Sequence, residues 1–293
     1  MAEKSRSSTA GTIVAVVLGA GLAWAGSQGG ALIAGLPAFA LAVALAFAIQ
    51  WVVFVPSYLR QTEHFFDLTG ASTYISVTAL SALAVGATDA RSLLLLALVV
   101  VWAGRLGTFL FRRVRRAGKD DRFDRIKTSF AAFLTTWTLQ GLWVSMTLAA
   151  ALAAITSAEK APLDAYVWVG LGVWLVGFSF EAVADFQKNR FRADPANAGQ
   201  FIRTGLWAWS RHPNYFGEIV LWTGVAIIAF PVLSGWQYAT LISPVFVFLL
   251  LTRISGIPLL ERKADERWGG QDAYEAYKRQ TPVLVPLIGR RSR

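Results

Sequence analysis

ALIAGLPAFALAVALAFAIQWVVFVP, residues 31–56, contains no charged side chain and one strongly polar one, Gln50. A surface helix of a soluble protein shows an apolar stripe backed by polar residues, whereas this run is apolar all round. At 1.5 Å per residue it is long enough for the hydrocarbon core of a bilayer, which takes about 20 residues. Apolar runs of the same kind recur at about 11–27, 73–88, 92–111, 129–156, 165–185, 215–233 and 237–257. This pattern predicts an all-α, polytopic transmembrane helical bundle of about 7–8 spans, a single integral membrane domain over residues 1–293. The run from Thr73 to Thr88 is the weakest, and a re-entrant segment is its alternative reading.

Composition points the same way. Hydrophobic residues make up 55% and charged residues 16%, with 12 Trp and a mean hydropathy of +0.48. That excludes a disordered chain, a coiled coil and an ordinary cytosolic enzyme. With no cysteine, disulfide scaffolds, thiolate nucleophiles and zinc–cysteine sites are excluded as well. Two histidines, His64 and His212, are too few for a multi-His metal site, so no metal is expected.

The net charge of +10 is arranged by sequence position. With the N-terminus placed inside, 25 of the 28 basic residues fall on inside segments. Arg91 and Lys160 fall outside, and Arg105 lies within a span. This is the positive-inside pattern and predicts cytoplasmic termini. The basic residues therefore read as membrane orientation plus an anionic ligand, with membrane lipids rather than nucleic acid as partners. The first run follows Lys4 and Arg6 and ends Ala23-Trp24-Ala25, so a cleaved signal peptide is its alternative reading. Residues 258–293 read as a cytoplasmic C-terminal segment, a short helix followed by an extended tail.

Ionisable groups within or at the ends of spans are expensive and mark candidate sites. Arg105 sits just inside a span end, where snorkelling to the headgroups is the alternative. Glu181, Asp185 and Lys188 share one helical face, as a terminal ion pair or as groups for a ribose and a phosphate. The densest stretch runs Gly205-Leu206-Trp207 to Arg211-His212-Pro213-Asn214-Tyr215-Phe216-Gly217-Glu218. Pro213 suits the first turn of a helix, whose N-terminus, with Arg203 and Arg211, makes an anion site. Glu218 then lies about one turn inside, where a purely interfacial role explains the aromatics but not the carboxylate. Arg253 and Glu261, with Tyr274 and Tyr277 on one face beyond them, read either as a capped span end and a packed helix or as a second basic clamp.

These residues carry a resemblance. Gly205-Leu206-Trp207, Arg211 to Glu218, Ser255-Gly256-Ile257-Pro258-Leu259-Leu260-Glu261 and Tyr274-x-x-Tyr277-Lys278, with Trp102 to Arg105 and Asp121-Arg122-Phe123, resemble the DUF1295 group of bacterial membrane proteins. That group is similar to the C-terminal domain of steroid 5-alpha-reductases, and the resemblance covers roughly residues 60 to 288. It implies a multi-pass protein of the bacterial inner membrane that uses NADPH, from the cytoplasmic side, to reduce an activated carbon–carbon double bond. The substrate implied is a lipid or steroid-like molecule entering from the bilayer. By the same resemblance Arg105, Asp185, Asn214 and Arg253 lie on or beside the cofactor. Lys188, Arg203, Arg211, His212, Tyr215, Glu261 and Tyr274 complete the expected cofactor set, and Glu218 the catalytic one.

One position departs from that family. The steroid reductases carry a tyrosine three residues before the arginine matched to Arg105, and here it is Trp102, which donates a hydrogen bond but is no acid. The Tyr58–Tyr74 segment, with Glu63, Asp67 and Tyr74, is the expected replacement source of an acid. A second resemblance, through Arg-His-Pro-x-Tyr and a later Glu, is to isoprenylcysteine and phospholipid methyltransferases, which bind S-adenosylmethionine. A non-catalytic lipid-binding membrane protein is the third reading.

Overall fold

A computed structural model describes residues 2–117, 123–124 and 126–287, with side chains from residue 8 onward except 113–117. Asp121 and Arg122 of the motif above, and the basic residues Lys4, Arg6, Arg113, Arg115, Arg116, Lys119, Arg125, Arg290, Arg291 and Arg293, lie outside the described side chains. The elements in chain order are α1 (Ala2–Gly26), a hairpin of β1 (Leu32–Ile33) and β2 (Leu36–Pro37), α2 (Ala38–Leu59), α3 (Phe66–Ala84), α4 (Ala90–Ala117) and α5 (Phe130–Thr156). They continue with α6 (Ala165–Ala193), α7 (Pro213–Ala229), α8 (Ile242–Leu249), α9 (Ile257–Trp268) and α10 (Asp272–Gln280). Among the described residues, seven helical stretches are long and apolar enough to cross a membrane. The helix at the weakest expected span is not one of them. Thr69, Ser72, Thr73, Ser76, Thr78 and Ser81 dilute the hydropathy of α3, which nonetheless starts at Phe66, earlier than the apolar run suggests.

The chain divides into two compact units. The first comprises 1–167 and 228–243. Its centre is α5, in which every residue from Thr147 to Thr156 is buried. Ala149, Ala150, Ala151, Ala153 and Ala154 keep that stretch thin, so α1, α2 and α3 pack directly against α5. Ser129 opens α5 by accepting a hydrogen bond from the Ala132 amide. At the opposite end Arg91 is fully buried: it donates to the carbonyls of Ile228 (2.7 Å) and Pro162 (2.8 Å) and pairs with Asp164 (3.0 Å). The buried charge is tolerated because a carboxylate and two carbonyls meet both terminal nitrogens, although Nε has no partner.

The second unit comprises 168–227 and 244–293. Here α6 and α7 cross at glycines. A Cβ on Gly217 would stand 2.5 Å from the Glu181 amide nitrogen and the Gly177 carbonyl, and one on Gly224 would stand 2.6 Å from the Gly170 carbonyl. α6 runs two turns past its apolar stretch, to Ala193, because Gln187, Lys188, Arg190 and Arg192 are good helix formers. The last apolar run is not one straight helix. A π-helical turn, Leu250–Ile254, breaks it before α9. The expected single C-terminal helix is two, α9 and α10, separated by Gly269-Gly270 with Gly270 at φ +81°.

Candidate functional site

Most of the candidate residues assemble in the second unit, around the loop that precedes α7. Gly205 turns that loop with φ +61°, and the Gln187 side chain lies where a Cβ would be. Gln187 Oε1 accepts from the Leu206 amide at 2.9 Å. Trp207, buried, donates its indole N–H to the Ala184 carbonyl at 3.0 Å, and Lys188 Nζ lies 4.3 Å over its ring. Tyr277 donates to the Trp207 carbonyl at 2.7 Å. The loop is thus gripped by α6 on one side and α10 on the other.

The chain's last described segment holds the same loop. The Arg211 amide donates to the Pro282 carbonyl (2.9 Å), the Leu287 amide to the Trp209 carbonyl (3.0 Å), and Ser210 Oγ to the Leu284 carbonyl (2.7 Å). Ser210 Oγ also accepts from the His212 amide at 3.1 Å.

At the centre is Glu261 of α9. One carboxylate oxygen takes the Arg211 guanidinium and the other faces His212 Nε2 at 2.7 Å. The His212 ring, which is 5% exposed, stacks on Tyr215 at 5.7 Å with an interplanar angle of 11°. Burial pushes the His212 pKa below its ordinary value, with Lys188 and Arg211 adding to the fall and Glu261 opposing it. The neutral ring donates Nε2–H to Glu261, which leaves Nδ1 as an acceptor. Nδ1 is buried and has no protein partner, and neither has Arg211 Nε. Two residues along, Asn214 Nδ2 donates to the buried Asp185 carboxylate at 3.3 Å. Glu181, one turn before Asp185, is also buried.

Asp265 accepts from Tyr274 (2.9 Å) and Lys278 (2.5 Å), and Phe201 packs edge-on against Tyr274 and at a tilt against Tyr277. Burial raises both phenols well above the usual range, and Asp265 adds to the rise at Tyr274. Both therefore stay protonated at neutral pH. Arg253 is exposed at the π-turn, Arg203 is exposed near Phe201, and Glu218 is half-buried on α7.

The remaining candidates belong to the first unit. Glu63 is buried and accepts from Lys127 Nζ at 2.7 Å, a partner that no sequence signal marked because it comes from the next but one loop. Asp67 sits in the first turn of α3. Tyr74 is buried edge-on against Trp102, at 5.0 Å between centroids and 87° between planes. The position where the steroid reductases carry a phenol thus has a phenol beside it, supplied by the neighbouring helix. Arg105 follows one turn along α4. The role of Glu261 as the shared acceptor for Arg211 and His212 was not visible in the spacing, because 50 and 49 residues separate the partners.

The family model described as "Protein of unknown function (DUF1295)" matches residues 53–281. Curated relatives include "3-oxo-5-alpha-steroid 4-dehydrogenase 1" of Macaca fascicularis, 30% identical over 121 residues, 41% of this chain and 40% of that protein. The human protein of the same name is 27% identical over 121 residues, 41% of each chain. "Very-long-chain enoyl-CoA reductase" of Dictyostelium discoideum is 30% identical over 80 residues, 27% of this chain and 26% of that protein. The matches thus span about two fifths or less of these relatives. No solved structure matches.

Proposed function

The chain belongs to the DUF1295 family, and from that premise we propose that it is a membrane-embedded reductase acting on an activated carbon–carbon double bond of a lipid, with NADPH as the reductant. The observation that carries the reading is the head of α7. There a buried imidazole acceptor without a protein partner stands two residues from an Asp185–Asn214 pair. Hydroxyl groups of a ribose are donors that such acceptors bind. The relatives named as reductases support the reaction class.

The residues present fit a dinucleotide. Asp185 and His212 Nδ1 would take its hydroxyls, Asn214 would fix the carboxylate's orientation, and Arg203 and Arg253, both exposed, would face its phosphates. Arg211 and Glu261 neutralise each other, so their work is to hold the loop and the His212 tautomer, with Arg211 Nε as the remaining donor. NADPH, when bound, supplies a hydride. In the first unit Tyr74, held against Trp102, carries a hydroxyl that the indole cannot replace as an acid. Glu218 keeps a carboxylate at the membrane end of the loop. Lys188 and Tyr215 act through packing, on Trp207 and His212 respectively, and Tyr274 by its hydrogen bond to Asp265.

The topology goes with this reading. The buried face of α3 carries Thr69, Thr73, Thr78 and Ser81, while Leu80 and Leu83 are exposed. Such a helix crosses a membrane with its polar side sheltered, and an even number of crossings leaves both termini in the cytoplasm, where NADPH is found.

A second reading has one observation in its favour. Glu261 cancels the charge of Arg211, which suits a less anionic cofactor such as S-adenosylmethionine. Titration of the detergent-purified protein decides between them. With 12 Trp, bound NADPH should quench indole emission and gain sensitised nicotinamide fluorescence. Saturable NADPH binding with no response to S-adenosylmethionine supports the reductase; the reverse result replaces it with methyl transfer, and neither response leaves a non-catalytic protein.

A further inference from the structure

In the first unit, two glutamines of different helices lie against the same face of α3. Gln50 of α2 is fully buried, and its Nε2 donates to Thr73 Oγ1 at 2.8 Å. Gln140 of α5 is nearly so, and its Nε2 donates to the Phe66 carbonyl at 3.1 Å. Both amide orientations are dictated by their partners. A backbone carbonyl only accepts, so Gln140 must present its NH₂ to Phe66. The Thr73 hydroxyl already spends its proton on the Thr69 carbonyl at 2.6 Å, so Gln50 must also present NH₂.

The consequence is two amide oxygens, Gln50 Oε1 and Gln140 Oε1, buried without a protein partner. Both lie within helices that cross the bilayer, where bulk water does not reach them. Their side chains reach neighbouring positions on α3: Gln140 abuts Gly70, and Gln50 reaches Thr73, less than one turn further along. Gly70 makes the room, since a Cβ there would lie 2.6 Å from Gln140 Nε2. One turn back on α5, the Trp137 indole N–H is fully buried and has no protein partner either. Trp137 and Gln140 both lie against Phe66.

We propose that Gln50, Gln140 and the Gly70–Thr73 face of α3 form a buried site for a hydroxyl group, made of residues other than those proposed for the reductase site. Two orphan acceptors require a hydrogen-bond donor, which excludes ketones, ethers and esters. The nearby orphan donor, Trp137, is matched by a group that also accepts, which an ammonium does not. A hydroxyl does both: a water donates to both oxygens, whereas an alcohol donates to one of them. Its source is a retained water or the head of a long-chain alcohol held among α2, α3 and α5.

The test uses the whole protein in lipid nanodiscs and has two arms. In the first, brief X-ray radiolysis in H₂¹⁸O oxidises side chains beside trapped water, and oxidation of Trp137 is read by mass spectrometry. In the second, a long-chain alcohol bearing a diazirine near its hydroxyl is photolysed, with its methyl ether as control, and adducts are mapped to residues 66–77. A water occupant gives Trp137 oxidation; an alcohol occupant gives adducts from the alcohol and not the ether. In either case Gly70→Ala lowers the signal at least fivefold by displacing Gln140. Gln50→Leu and Gln140→Leu, which keep side-chain volume, do the same should Gly70→Ala impair folding. Absence of both signals, or signals unchanged in all three variants, overturns the proposal.

Discussion

At the scale of single residues, the Glu261 carboxylate is the most connected group in the second unit. Glu261→Gln keeps the shape but removes the charge that holds Arg211 and orients His212. With the loop and the His212 tautomer no longer held, NADPH affinity should fall by more than tenfold in the fluorescence titration, which is about 1.4 kcal/mol or more. His212 sets a pH dependence. Its folded pKa lies below the ordinary value of about 6.5, so between those two values the unfolded chain binds a proton that the folded chain does not. Stability therefore rises with pH up to about 6.5 and is lost below it. Thermal melting in detergent should show a midpoint that drops as the buffer is acidified, and His212→Gln should flatten that drop. Trp102→Tyr places a second phenol beside Tyr74; gain of activity toward 3-oxo-4-ene steroids with unchanged NADPH binding is the expected outcome, measured by product analysis.

Among the elements, the crossing of α6 and α7 rests on backbone contact rather than side-chain packing. Gly217→Ala drives a methyl group into the Glu181 amide and the Gly177 carbonyl, and backbone has no rotamer with which to yield. A destabilisation of about 1–3 kcal/mol is expected, read as a lowered melting midpoint. How much of this was legible in the sequence differs by element. α2, α5 and the Pro213 start of α7 were readable because apolar length and a proline at the first turn are local signals. The start of α3 was not legible, since the helix begins at Phe66 ahead of the apolar run at Thr73, and its hydroxyls bond their own helix or face inward, as Thr73 and Thr78 do. A hydropathy sum counts them as if they met lipid. The α9–α10 division, the grip of Tyr277 on Trp207 and the pairing of Glu63 with Lys127 are tertiary facts with no short-range signature.

For the whole molecule, the asymmetry of basic residues makes a topological prediction that the chain is well suited to test. It has no cysteine, so single cysteines can be introduced without a background. Asp272→Cys, in the exposed start of α10, should react with a membrane-impermeant maleimide only when the cytoplasmic face is opened. Glu159→Cys, beside Lys160, should react in intact cells. Reversal of either result removes the assignment of both termini to the cytoplasm.

The grip of residues 282–287 on the loop before α7 also has a temporal meaning. Ser210 and its acceptor Leu284 are 74 residues apart, so during synthesis at about 5–20 residues per second the loop waits roughly 4–15 s for the segment that fixes it. Arg211 and His212 have been made as that interval opens, Glu261 follows 50 residues later and the clasp only at its end, while the helices on either side of the loop are already available to the membrane. The surface at the head of α7 is therefore completed only after α9, α10 and the segment behind them have been made, and a ribosome pause in α9 or α10 delays that completion without delaying the insertion of α6 and α7.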